Sequence, residues 1–408
     1  MGFLYSLAIF LLRIVLRLAS LFSEKAKLSF EGRSKWKEQL QEVPKTAPRI
    51  WMHCASLGEF DQGLPVLFAL KEKFPEHLII VTFFSPSGME HYQKRNHCVD
   101  YALYLPLDTQ NNAVQFAALI QADYALFVKY EFWRNIIREV KKSGTKMISI
   151  ATLLRPKQIY FRWYGGFFKA ILFQFDFYFV QNKETLLLLN NIGITNTLEI
   201  GDPRFDKVLM LRDSLKTMPE NSTLSSFLKG QKAIIVGSAW KEEARIILEY
   251  AKDVPTQKII IAPHDISLKN CESILNLCDG KAQFYTKYKH QIDSSILILD
   301  TIGHLSSAYN YAKLAFIGGG FSGKLHNILE PAVFGLPIIF GPKYGRFPEA
   351  EGFLSKGFAK SIHTSQEFNA ACNILLEEEQ ELESKIKLFV EDQKGAAMRI
   401  VSHSIFNQ

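Results

Sequence analysis

The chain has 408 residues, 48% of them apolar and 22% charged, which gives room for two or three domains of roughly 150 residues and excludes a disordered or collagen-like chain. Its formal net charge is +7, and residues 1–49 alone carry +5 of it, from nine basic and four acidic side chains. A nucleic-acid binder, basic along its length, is thereby disfavoured, and a local basic segment beside something anionic is favoured.

The first element is the apolar run Gly2–Phe22, long enough to cross a bilayer. Arg13 and Arg17 lie within it, four residues apart and so on one helix face. An interfacial helix and a tilted anchor with snorkelling arginines both fit. A cleaved signal peptide does not fit, because the charges lie inside the apolar run rather than before it. Basic residues follow at 25–37, which keeps the body of the protein cytosolic and offers a collar to anionic lipid headgroups.

From residue 48 onward, apolar strand-like runs alternate with helical stretches. The first series of predicted strands is Ile50–His53, Leu78–Phe83, Tyr124–Val128, Lys146–Ile150 and Phe177–Val180, with Leu198–Ile200 strand-like after them. The second is Ala233–Val236, Lys258–Ala262, Ile296–Leu299, Leu314–Ile317 and Pro337–Phe340. Gln62–Lys73 and Trp240–Ala251 read as helices. The alternation implies an α/β fold of two parallel, doubly wound halves facing across a cleft at their carboxyl ends. The expected division is 1–22 membrane anchor or interfacial helix, 23–212 first domain, 213–230 polar linker, 231–385 second domain and 386–408 C-terminal helix. Five widely spaced cysteines with no CxxC fit a reducing compartment.

The segments able to carry chemistry each follow a strand. His53-Cys54-Ala55-Ser56-Leu57-Gly58-Glu59 places Glu59 as a general base or as the acidic member of a capping box with Ser56. Lys129-Tyr130-Glu131-Phe132-Trp133 gives Glu131 a second cleft role or makes it a surface carboxylate at a helix start. In Gly201-Asp202-Pro203-Arg204, Arg204 can offset developing negative charge or simply follow a proline turn. Gly237-Ser238-Ala239-Trp240 offers helix-start N–H groups to a phosphate. The strongest pattern is Gly318-Gly319-Gly320 followed by Lys324, His326, Asn327 and Glu330. There the loop can hold a phosphate and Glu330 both hydroxyls of a ribose, or Asn327 and Glu330 cap a helix. His264 ends another strand. No metal-ligand spacing is present, and no metal or cofactor is expected.

In order along the chain, these segments resemble the bacterial Kdo transferases, which attach 3-deoxy-D-manno-octulosonic acid to a lipid A precursor. The resemblance runs from about Gly32 to Pro342. Gly32-Arg33-Ser34-Lys35-Trp36 resembles the basic element after the family's membrane anchor. Ala55-Ser56-Leu57-Gly58-Glu59 is similar to its S-x-G-E loop, whose glutamate is the catalytic base. Glu131-Phe132-Trp133-Arg134-Asn135 resembles E-L-W-P-N, and Gly201–Asp206 resembles G-N-x-K-F-D with Arg204 at the cationic position. Asp300–His304 resembles D-T-x-G-E, and 318–331 resembles the G-G…H-N-x-L-E-P segment. The sequence departs from the family at Lys129, which stands where a glutamate is usual, at Ala262-Pro263-His264 in place of P-R-H, and at His304.

The resemblance implies a GT-B glycosyltransferase with an acceptor-binding first domain and a CMP-Kdo-binding second domain. Its catalytic residues would be Glu59, Glu131 and Arg204. Its donor-binding residues would be Ser238, Pro263, His264, Ile302, Gly303, His304, Gly319, Gly320, Asn327, Ile328, Leu329 and Glu330. The partners it implies are CMP-Kdo, a lipid A precursor and the anionic lipids of the inner membrane, with the catalytic domains on the cytoplasmic face and no nucleic acid. A GT-B transferase using a UDP-sugar and a catalytically inactive membrane-bound binding module are the alternatives.

Overall fold

The structure, a computed structural model, describes residues 1–217, 219–278, 280–291 and 294–407. The chain forms two compact units, one made of Met1–Lys207 with Gln393–Gln408 and the other of Val208–Asp392.

Unit 1 begins with helices α1 (Gly2–Ala19), α2 (Glu24–Ser34) and α3 (Trp36–Gln41). Its sheet holds β1 (Arg49–Cys54), β2 (Leu78–Phe83), β3 (Tyr101–Tyr104), β4 (Tyr124–Val128), β5 (Lys146–Thr152), β6 (Phe177–Val180) and β7 (Thr197–Glu199). The spatial order is β3-β2-β1-β4-β5-β6-β7, and every pairing is parallel. All six residues of β1 are buried, as a strand covered by helices on both faces requires. Its alternate side chains feed two cores, Trp51 one and Ile50 and Met52 the other. Helix α4 (Leu57–Lys73) follows β1 directly.

Unit 2 repeats the plan with β8 (Ala233–Ala239), β9 (Ile259–Pro263), β10 (Ala282–Phe284), β11 (Ile296–Ile298), β12 (Ala312–Ile317), β13 (Ile338–Phe340) and β14 (Ala359–Ser361). Its order is β10-β11-β9-β8-β12-β13-β14, again all parallel. The winding reverses between β1 and β4 in one unit and between β8 and β12 in the other. In doubly wound sheets the crevice for ligands lies outside the carboxyl ends at such a point.

The units divide the chain differently from the sequence boundaries. The helix Arg204–Leu215 runs through the division. The stretch 213–230, polar enough to read as a linker, contains the helix Ser222–Leu228, with Leu224, Phe227 and Leu228 buried. Asn221 caps that helix by accepting the Leu224 N–H, so its polarity is helix punctuation. Met218 lies outside the described residues. The final helix Ala396–Val401 belongs to unit 1, where Ala396, Ala397, Ile400 and Val401 enter the core beside α4 residues. Asp206 fixes this return by accepting the N–H groups of Gly395 at 2.6 Å and Ala397 at 2.8 Å.

Asp206→Ala strands both amides. It is expected to cost about 1–3 kcal/mol of stability, read as a lower urea midpoint; an unchanged midpoint would show that the returning segment is held by packing alone.

Candidate active site

In unit 1 the reversal point brings together the loops after β1 and β4. Glu59 stands in the first turn of α4, five residues beyond the end of β1, and is 7% exposed. Its carboxylate turns back to accept the Ala55 N–H, which is the acidic half of a capping arrangement. Ser56, at the helix cap, makes no side-chain capping bond. Burial pushes the Glu59 carboxyl up to about 7, against the Ala55 and Ser56 amides and the Lys129 charge, which favour ionisation. The Glu131 charge pushes the same way as burial. The two loops therefore interact electrostatically, and the lysine at 129 outweighs the effect of Glu131 on Glu59. Gly58 has open space around it: an added Cβ would meet nothing nearer than Ser56 Oγ at 4.0 Å. Packing does not demand glycine there, and a substrate can approach.

Glu131 is half-buried, and burial raises its carboxyl as well. Lys129 holds a left-handed φ of 65°, a conformation that is uncommon for a side-chain-bearing residue. The loop ends at the helix Arg134–Lys142. Trp133 stacks on Phe84, which follows β2, with centroids 4.7 Å apart. Phe84 O in turn accepts from the Arg33 guanidinium. Arg33 is only 6% exposed and also donates to Leu105 O. It supports the site from behind and does not belong to the lipid-facing collar read from the sequence. Arg49, at the amino end of β1, is buried as well, 1% exposed, and donates to the Leu119, Ile120 and Pro44 carbonyls.

Arg204 pairs with Asp202, Nε at 2.8 Å and the terminal nitrogen at 2.6 Å from Oδ2. Asp202 also accepts from Gln62 on α4 at 2.9 Å, and these contacts hold its carboxyl below the usual range despite burial. Arg204 is thus tied to the helix that carries Glu59, with its charge already offset.

In unit 2 the reversal point joins the ends of β8, β9 and β12. Ser238 has a left-handed φ of 53° where the β8–β9 register slips. Trp240 stacks on His264 at 4.4 Å, and His264 meets His326 at 4.6 Å. The His326 ring is held neutral by burial and by His264, its pKa brought down to about 4, and its buried Nε2 has no hydrogen-bond partner among the described residues. Neither Trp240 nor His326 was among the donor-binding residues expected from sequence. Both lie in segments that the sequence singled out, Gly237–Trp240 and the stretch 318–331.

The three glycines have an explanation independent of any ligand. A Cβ on Gly318 would lie 2.0 Å from Ser238 O, on Gly319 2.1 Å from Lys324 O and on Gly320 2.4 Å from Gly341 N. The Gly319 N–H donates to the buried Glu243 at 2.8 Å and the Gly318 N–H to Gly237 O at 2.9 Å. Two of the amides expected to cradle a phosphate are therefore engaged within the protein. Glu243 also accepts the Trp240 N–H at 3.0 Å, so one carboxylate ties the loop after β8 to the loop after β12.

Asn327 accepts the Leu329 N–H, and Glu330 receives Asn327 Nδ2 at 3.3 Å and Ser306 Oγ at 3.2 Å. Ser306 lies in the helix His304–Ala308, so the 300–304 loop and the 326–330 segment are joined. Ile328 and Leu329 have fully buried side chains, which leaves only their backbone for a donor. Pro263 is buried, while His264, Ile302 and Gly303 are exposed. His304 bonds Thr301 at 2.9 Å and lines a separate cavity of 690 Å³ with Asn221, Tyr285 and Ser307.

A family model described as 3-deoxy-D-manno-octulosonic-acid transferase (kdotransferase) matches residues 34–207. The chain is 28% identical to the 3-deoxy-D-manno-octulosonic acid transferase of Aquifex aeolicus over 316 residues, covering 75% of this chain and 80% of that protein. It is also 28% identical to the enzyme of the same name from Rickettsia bellii over 341 residues, covering 80% and 79%. Among solved structures it resembles the UDP-GlcNAc 2-epimerase of Neisseria meningitidis, with TM-score 0.65, 14% identity and coverage of 88% of this chain and 100% of that one. It resembles MurG of Acinetobacter baumannii with TM-score 0.54, 12% identity and coverage of 87% and 98%. These likenesses establish the GT-B type of fold.

Glu243→Ala leaves the Gly319 and Trp240 amides without acceptors. We expect a cost of about 1–3 kcal/mol for each and faster hydrogen exchange at Gly319; unaltered exchange would show that the glycine loop is held by its neighbours alone.

Proposed function

We propose that this chain is a 3-deoxy-D-manno-octulosonic acid transferase that moves Kdo from CMP-Kdo to a lipid A precursor with inversion and no required metal, a reading supported by the family model over residues 34–207 and by the relatives of that name. The observation that carries this reading is Glu59: a buried carboxylate at the carboxyl edge of β1, at the reversal of the sheet, with its pKa raised to about 7. A general base works best with a pKa near the working pH.

In this mechanism an acceptor hydroxyl attacks the anomeric carbon of the donor while Glu59 takes its proton. The bond to the CMP phosphate breaks, and its electron pair leaves with CMP. Glu131 shapes the field around Glu59 from the neighbouring loop. Arg204 enters as a hydrogen-bonding group whose charge Asp202 has offset. On unit 2 the proposed donor contacts are Ser238, Pro263, His264, Gly320, Asn327 and Glu330. They also include the backbone of Ile328 and Leu329 and the 302–304 loop, with exposed Lys324 as the nearby cation. Trp240, 38% exposed above His264, adds an aromatic face. The proposed setting is the cytoplasmic face of the inner membrane, reached through anionic lipid.

The UDP-sugar alternative draws on the fold neighbour from Neisseria meningitidis, whose structure holds UDP-GlcNAc. Ligand binding raises the melting temperature, so CMP is expected to shift it and UDP not; the reverse would favour the alternative. An inactive binding module would bind CMP yet turn over no donor with any lipid A precursor.

Glu59→Gln is expected to lower transfer by at least about a hundredfold while CMP still raises the melting temperature. In the wild type, activity requires ionised Glu59, so kcat/KM falls as pH drops through about 7. Full turnover by Glu59→Gln, or a profile flat through that range, would remove Glu59 as the base.

A further inference from the structure

Helix α1 touches unit 1 along a narrow stripe. Ile9 is 5% exposed, and Tyr5, Leu12 and Leu16 are half-buried, at the spacing of one helix face. The rest of the helix is apolar and uncovered: Phe3, Phe10, Val15 and Leu18 are 80%, 55%, 59% and 53% exposed. Such a surface exceeds what a soluble monomer usually leaves open. Arg13 and Arg17 are exposed on the same helix, where their long stems can lie on hydrocarbon and their guanidinium groups reach anionic headgroups.

The stripe carries one specific bond. The Tyr5 hydroxyl donates to Asp108, a fully buried carboxylate that lies 103 residues away in sequence. The Tyr5 ring packs on Phe167 and Phe168, with centroids at 5.9 and 6.3 Å. Just before those residues, Trp163 is 95% exposed and Tyr164 53%, the residue types that favour a membrane–water interface. At 18 residues, α1 is about 27 Å long. It cannot stand across a hydrocarbon core of about 30 Å while its first turns are held sideways against the interior of unit 1.

Asp108 has a second duty. Its carboxylate accepts the N–H groups of Asn135 at 2.9 Å and Ile136 at 2.7 Å, and its backbone O accepts Asn135 Nδ2 at 2.7 Å. It therefore fixes the start of the helix that the Glu131 loop runs into, while Arg134 lies over the Phe167 ring at 4.5 Å. The lipid-facing helix and the Glu131 loop meet at one carboxylate.

We propose that α1 lies flat on an anionic lipid surface while clipped to unit 1 by the Tyr5–Asp108 hydrogen bond, and that through this clip Tyr5 positions the loop bearing Glu131. The positioning half rests on the catalytic reading of Glu131 given above.

The first test places single cysteines at Gly2 or Ser20 in a full-length Cys98→Ser background, added to preformed phosphatidylglycerol–phosphatidylethanolamine vesicles. A membrane-impermeant maleimide is expected to label both positions to similar extents. Protection of Gly2→Cys until detergent is added would mean a spanning helix and would overturn the flat placement. The second test uses Tyr5→Phe on the same vesicles, which removes one hydroxyl and no packing. Amide exchange at Asn135 and Ile136 is expected to quicken by about tenfold, and kcat to fall with the donor KM unchanged. Unchanged exchange and kcat would overturn the clip. Failure of the catalytic reading is separate: a fully active Glu131→Gln would remove that role and leave the labelling and exchange results standing.

Discussion

Parallel pairing is the constraint on which everything else rests. A parallel strand hands the chain to a crossover at its carboxyl end, so every loop after a strand is delivered to the same edge of the sheet. Where the winding reverses, two of those crossovers leave on opposite faces and the edge opens. In unit 1 that happens between β1 and β4, which is why Glu59 and the Lys129–Trp133 loop are neighbours although about 70 residues apart in sequence. In unit 2 it happens between β8 and β12, which brings Ser238 against the triple glycine.

Each edge is then held by a buried carboxylate that accepts backbone amides. Glu59 holds the turn out of β1, Asp108 the helix after the Glu131 loop, Glu243 both loops of unit 2 and Asp206 the returning C-terminal segment. A carboxylate out of water is costly unless hydrogen-bonded, and N–H donors are what loop and helix starts have to spare. Burial outweighs the donors at three of them: it pushes the Glu243 carboxyl up, the Asp108 carboxyl up to about 6 and the Glu59 carboxyl up to about 7.

The central strands were legible because full burial on both faces leaves runs such as Ile50–His53 and Ala233–Val236 without alternation. The edge strands β3, β10 and β14 were not: they are three or four residues long, and Ala359–Ser361 carries no apolar run. Glu59 was legible as base or cap, and the structure has it turned back in a capping contact with the raised pKa of a base. The triple glycine was read as a loop able to hold a phosphate, and the structure adds a second reason for it: crowding by Ser238, Lys324 and Gly341, which only the tertiary fold brings near. Arg33 and Arg49 counted as surface charge for the same reason, since the carbonyls that bury them come largely from 50 to 72 residues further along.

The division of unit 1 has a consequence for synthesis. Residues 393–408 supply Ala396, Ile400 and Phe406 to a core whose other members precede residue 208. On the ribosome, unit 2 has all its residues before unit 1 does, although unit 1 is begun first. Chains made at about 5–20 residues per second therefore spend some ten seconds or more with α1 already emerged and its hydrophobic face seeking a surface while the core beneath it is still open. On this order of events α1 has left the ribosome long before the core beneath it can close.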